Sequence, residues 1–242
     1  MKICNIGHAR SRTTYLTQHL SKYYKINNFN EVYSNCKTTD SLQTLRKNIK
    51  LFTQNIFDKN NFIIKVWPRY FSVGDSTNVT FISDLNDCFK FSDYDKIIIT
   101  FREPVDSLCS LSTAELFGYN FNEENKLKES LKNRYTKKIT VNLENSSNKL
   151  FLIEIFLIPY IVKYLNKMQI SYTMLEYNSI PQYLQSFELQ DDLNFISKNS
   201  IPTVLDSKTS YKLCINNYNE VQDFVYKYKE EIQPFLDSII LR

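Results

Sequence analysis

Apolar residues return along this chain in two rhythms. Short β-branched runs stand at 2–6 (KICNI), 62–66 (FIIKV), 96–101 (KIIITF) and 170–175 (ISYTML), and they predict strands. Between them lie longer amphipathic stretches that predict helices at about 13–25, 41–57, 84–91, 104–118, 123–136, 149–167, 179–187 and 217–232, several opened by Asp, Ser, Thr or Pro at capping positions. Strand and helix alternate, which is the pattern of βαβ units. The expected fold class is therefore α/β, a single domain over residues 1–242 with a central parallel sheet flanked by helices. No repeat, low-complexity linker or internal boundary interrupts it.

Composition narrows the partners. A chain of 242 residues that is 43% hydrophobic can bury a full core. Its net charge of +4 is spread without long basic blocks. That excludes a nucleic-acid partner as the expectation and suits an anionic small ligand. The densest basic segment, KLKESLKNRYTKK at 126–138, reads as a solvated helix face, with a contact surface for an acidic partner as the alternative. Five cysteines, Cys4, Cys36, Cys88, Cys109 and Cys214, are odd in number and never form C-x-x-C, which argues against a disulfide framework or a zinc site. A reducing cytoplasmic setting is expected, and the few residues before Gly7 are too short for a secretory leader. The most apolar stretch, LFLIEIFLIPYIV at 150–162, is interrupted by Glu154 and Pro159 and falls short of the roughly 20 residues that span a bilayer, so it reads as a buried helix and not a membrane insertion. With three glycines and many Asn, Lys, Ile and Tyr residues, the chain has the composition of an AT-rich coding genome, as in phages and low-GC bacteria.

The chemistry starts at GHARSRTT, residues 7–14, between the first predicted strand and the first predicted helix. Unpaired N–H groups at a helix start favour an anion there. Ser11, Thr13 and Thr14 add hydroxyls, and Arg10 and Arg12 add guanidinium forks suited to phosphate or sulfate oxygens. In the frame of the common phosphate loop, Arg12 takes the second glycine's place, Thr13 the lysine's and Thr14 that of the hydroxyl residue. The loop lysine is missing. An ordinary Ser or Thr helix cap is the alternative reading of this segment alone.

A second segment, IIITFREPVDSLCSLSTAELF at 97–117, repeats the arrangement: a strand, Arg102 at its end, Pro104 at a helix start, and Ser110 eight residues after Arg102. Ligands of open parallel sheets bind at the carboxyl ends of the strands, so the two segments can share one crevice. Together they resemble the sulfotransferase family. Its 5′-phosphosulfate loop, close to P-[RK]-S-G-T-T-x-L, is matched by Ala9-Arg10-Ser11-Arg12-Thr13-Thr14-Tyr15-Leu16, and its 3′-phosphate motif by Arg102, Pro104 and Ser110. Weaker similarity runs through SYTMLEYNSIPQYL at 171–184 and SYKLCINNY at 210–218. The resemblance implies a phosphate-loop-like architecture and 3′-phosphoadenosine 5′-phosphosulfate as co-substrate, with no metal. It assigns Arg10, Ser11, Arg12, Thr13 and Thr14 to the 5′-phosphosulfate and Arg102 and Ser110 to the 3′-phosphate. Arg12 for glycine implies either an ordinary backbone angle at that position or an added cation, and Ala9 replaces a proline.

Sulfuryl transfer needs a base for the acceptor proton and cations for the charge that develops on the leaving phosphate. Many members of the family place a histidine two residues after a strand lysine, in Lys-Thr-His; here the place reads Lys65-Val66-Trp67, without the histidine. His19 reads as a satisfied helix residue. Other members use a glutamate beyond the first helix, and Glu31, flanked by aromatics in NNFNEVYS at 28–35, is the nominated base, with Lys65 as the cation near the bridging oxygen. Glu103 and Asp106 read as caps of the following helix, and Trp67 as a core or acceptor-pocket residue. The expected acceptor is a small molecule, carbohydrate or peptide. Two other functions stay open: a kinase-like phosphoryl transferase, weakened by the missing lysine, and a non-catalytic nucleotide- or anion-binding protein of the same fold.

Overall fold

The computed structural model describes residues 1–30, 32–36, 41–74, 79–117, 138–186, 211–212 and 214–240. Five parallel strands form the central sheet: β1 (Lys2–Gly7), β2 (Asn27–Phe29), β3 (Phe62–Val66), β6 (Lys96–Phe101) and β7 (Thr173–Glu176), in the order β2-β3-β1-β6-β7. A short antiparallel pair, β4 (Ser72–Gly74) and β5 (Val79–Phe81), stands apart from it. The helices are α1 (Thr13–Tyr24), α2 (Leu42–Phe57), α3 (Leu85–Phe89), α4 (Pro104–Phe117), α5 (Ser146–Lys167), α6 (Ile180–Gln185) and α7 (Tyr218–Ile240). The fold is the expected α/β class, with helices on both faces of a parallel sheet.

Side-chain alternation sorts the strand residues to the two faces. Ile3, Ile63 and Ile98 pack with Leu16 and Leu20 of α1 and with Ile180 and Leu184 of α6. Their neighbours Cys4, Ile6, Phe62, Ile64, Val66, Ile97 and Ile99 face the larger core that α2, α3, α4, α5 and α7 cover. Asn5 falls on the α1 face, where Nδ2 donates to the Thr13 carbonyl at 3.0 Å and to Thr17 Oγ1 at 2.9 Å, tying β1 to the helix that follows it. From β1 the chain moves to one side for β2 and β3 and then to the other for β6 and β7. The order therefore reverses between β1 and β6, where parallel sheets open a ligand crevice.

Several boundaries differ from the sequence expectation. The last strand runs over Thr173–Glu176, shifted towards the C-terminus from 170–175, because its partners are Ile98 to Phe101 of β6. β2 and the β4-β5 pair were not expected; each strand has three residues, too short for a periodic signal. α5 starts earlier, at Ser146, where the Asn145 side chain accepts from the Ser147 N–H at 3.0 Å. α7 passes the expected end at 232 and carries Pro234 inside it. α3 and α6 are shorter than 84–91 and 179–187. The helix expected over 123–136 lies outside the described residues. No helix among the described residues is long and apolar enough to cross a membrane.

Candidate functional site

The crevice is set by one close approach. A Cβ on Gly7 would lie 2.1 Å from Thr100 Oγ1, 2.5 Å from Thr13 Cγ2 and 2.8 Å from the Thr100 carbonyl oxygen, so only glycine lets β1, β6 and the start of α1 converge here. The loop beyond it is braced from inside. Ser11 Oγ donates to the His8 carbonyl at 2.7 Å and lies 3.1 Å from Thr100 Oγ1. His8 is fully buried, with Nδ1 2.7 Å from the Ala9 carbonyl and Nε2 3.2 Å from the Arg102 backbone nitrogen. A carbonyl only accepts and an amide only donates, so the ring is neutral with its proton on Nδ1. Burial pushes His8 down to about 4, against the hydrogen bond to Ala9 and helped by the Arg102 charge. Both ring nitrogens are thus committed to joining the loop to the end of β6.

Arg10 and Arg12 both take left-handed backbone angles, φ 68° and 63°. Arg12 thus takes a backbone region that favours glycine, at a cost of about 1–2 kcal/mol for a side-chain-bearing residue. Its Nη1 donates to the Tyr177 carbonyl at 3.1 Å, and its guanidinium carbon stands 3.9 Å from the Tyr177 ring centre. Arg10 turns the other way, with Nε donating to Ser110 Oγ at 3.1 Å.

Arg102, 6% exposed, sits just past the end of β6. Nη2 donates to the Tyr211 hydroxyl at 3.1 Å and Nη1 to the Arg10 carbonyl at 3.5 Å, and the guanidinium carbon lies 4.0 Å from the Tyr177 ring centre. None of these partners is a carboxylate. Burial works against the Arg102 charge, and the electrostatics of Tyr211, Tyr177 and Asp106 outweigh it. Arg10, Arg102 and Ser110 therefore form one cluster, whereas the motif reading divided them between two phosphate groups. Behind the cluster, Glu103 Oε2 accepts from the Asp106 N–H at 2.9 Å, the capping contact expected at the start of α4.

Strand parity delivers the remaining cation. Lys65 pairs with Asn5 in the sheet and shares its α1-facing side. Only 2% exposed, it donates from Nζ to Thr14 Oγ1 at 3.0 Å, so a lysine reaches the loop from β3. Thr13 is buried. Glu31 lies outside the described residues. Tyr177 and Tyr211, which hold the guanidinium groups, were not singled out, although both fall in the segments of weaker similarity at 171–184 and 210–218. Among the described residues no group of three His, Cys, Asp or Glu side chains could hold a metal ion.

No protein-family model matches the sequence, and no curated protein matches it. Among solved structures the chain is similar to shikimate kinase from Bacteroides thetaiotaomicron, with 12% identity and a TM-score of 0.37 over 80% of this chain and 98% of that one. It is also similar to shikimate kinase from Acinetobacter baumannii in complex with shikimate, with 12% identity and a TM-score of 0.33 over 70% of this chain and 95% of that one.

Proposed function

We propose that the chain is a nucleotide-dependent group transferase that moves a sulfuryl group from 3′-phosphoadenosine 5′-phosphosulfate to a hydroxyl or amine of a small-molecule, carbohydrate or peptide acceptor. The observation that carries the reading is the buried Arg102 guanidinium beside Arg10 and Ser110, at the point where the strand order reverses. Forks of this kind suit a phosphate dianion. The N–H groups opening α1, with Thr14 and Lys65, supply donors for the 5′ group a short way along the same crevice. In the reaction the acceptor oxygen or nitrogen forms a bond to sulfur while the bond from sulfur to the bridging phosphate oxygen breaks. Adenosine 3′,5′-bisphosphate leaves, Lys65 and the loop amides neutralise its developing charge, and a base takes the acceptor proton. Glu31 is the sequence's nominee for that base.

One observation favours phosphoryl transfer as a second reading. The sequence weakens a kinase-like function because the loop lacks its lysine, yet Lys65 reaches Thr14 of that loop from β3, so a cation of the kind a γ-phosphate requires is present. Ligand-dependent melting separates the two readings. Adenosine 3′,5′-bisphosphate should stabilise the protein by about 2.7 kcal/mol at a hundredfold excess over Kd, and ATP with magnesium by much less. A larger shift with ATP and magnesium would replace sulfuryl transfer with phosphoryl transfer.

A further inference from the structure

Just past the end of β3, two residues beyond Lys65, stands a polar cluster that the transfer chemistry above does not use. The Arg69 guanidinium carbon lies 4.1 Å from the Trp67 ring centre, and Lys65 Nζ lies 5.0 Å from it. Arg69 Nη2 is 2.8 Å from Glu154 of α5, the carboxylate that interrupts the most apolar stretch of the sequence and is 5% exposed. Three atoms of this cluster are buried without a hydrogen-bond partner: Trp67 Nε1, Arg69 Nε and Glu154 Oε2. Buried polar atoms are as a rule paired, so three orphans in one contact group call for a partner that the described residues do not supply. Two of them donate and the carboxylate oxygen accepts. The complement is a hydroxyl group, which has two lone pairs to accept with and one hydrogen to give.

We propose that Trp67, Arg69 and Glu154 form an acceptor subsite for an alcohol, whose hydroxyl accepts from Trp67 and Arg69 and donates to Glu154 Oε2. Lys65 links this subsite to the phosphate loop, because the same ammonium group that bonds Thr14 faces the Trp67 ring. Burial pushes Glu154 up to about 7 against the pull of Arg69, so its occupancy by a hydroxyl also shifts a proton equilibrium near neutrality. The name acceptor rests on the transferase reading. The recognition of a hydroxyl does not.

Trp67 is the only tryptophan in the chain, so its emission reports on this subsite alone. Cyclohexanol, benzyl alcohol and glucose, titrated beside the methyl ethers of the same compounds, should include at least one alcohol that changes the emission saturably. Its methyl ether, which cannot donate, should bind at least about tenfold more weakly. Glu154→Gln should weaken the alcohol by a similar factor, since an amide has one oxygen where Arg69 and the hydroxyl need two. Arg69→Gln provides a second variant should the first fail to fold. Adenosine 3′,5′-bisphosphate affinity, measured on the same samples, should be unchanged in both. No saturable response to any alcohol, an ether within about twofold of its alcohol, or variants that bind the alcohol as the wild type does would each overturn the subsite. Loss of bisphosphate binding in the wild type would instead defeat the transferase reading and leave the hydroxyl site standing.

Discussion

His8 and Glu154 are two buried groups whose pKa values are displaced in opposite senses, and their contributions to the pH dependence of stability should nearly cancel over a range where either alone would tilt it. His8 sits at about 4, below its ordinary 6.5, and Glu154 at about 7, above its ordinary 4.5. Between pH 4 and 6.5 the unfolded chain holds a proton on His8 that the native state refuses, so stability rises with pH. Between pH 4.5 and 7 the native state holds a proton on Glu154 that the unfolded chain has released, so stability falls with pH. Each displacement of some 2.5 pH units corresponds to about 3 kcal/mol. Over pH 4.5–6.5 the two contributions cancel. Glu154→Gln removes one of them, and urea midpoints should then climb with pH across this window by an amount equivalent to about 3 kcal/mol. His8→Gln, whose amide can both donate to Ala9 and accept from Arg102, should leave a stability that falls over pH 4.5–7 by a similar amount. Parallel pH profiles for wild type and both variants would refute the assignment of these two burials.

Gly7→Ala should lower stability by about 3 kcal/mol, because the added methyl meets the Thr100 carbonyl as well as its hydroxyl; an unchanged urea midpoint would show that β1 and β6 can part there. Arg102→Ala should weaken adenosine 3′,5′-bisphosphate by at least about tenfold in a folded protein, read by titration calorimetry, and equal affinity would remove Arg102 from the anion site. Arg12→Gly should be more stable than Arg12→Ala by about 1 kcal/mol, since only the alanine retains the left-handed backbone penalty, and both should lose anion affinity alike.

How much of this was legible before the fold was known depends on the reach of each signal. Strands 62–66 and 96–101 were read to the residue, because a buried parallel strand announces itself as an apolar run. β2 could not be read: its residues are two asparagines and a phenylalanine, it sits at the sheet's edge, and its place comes from pairing with Phe62, Ile63 and Ile64. The last helix was expected to end at 232, yet α7 continues through Pro234, with Leu236 buried beyond. In the site, local spacing carried Arg102, Pro104 and Ser110, since a strand end and the following helix turns fix their relation within a few residues. Spacing said nothing of which way Arg10 would point.

Lys65 marks where local reading ends. Its position within a strand was visible, but its partner was not, because the contact with Thr14 follows from two long-range facts: β3 lies beside β1 in the register that pairs Lys65 with Asn5, and α1 returns over that same face. A one-residue slip of β3 would turn Lys65 into the opposite core and leave the loop without it. Glu154 is the same lesson from the other side of the sheet. In sequence it is a blemish in an apolar helix, and it acquires meaning only when α5 lies against the turn at 68–71 and sets one carboxylate oxygen on Arg69 with the other left over. The chemistry of the crevice is thus assembled by register, and register is what a single sequence carries least directly.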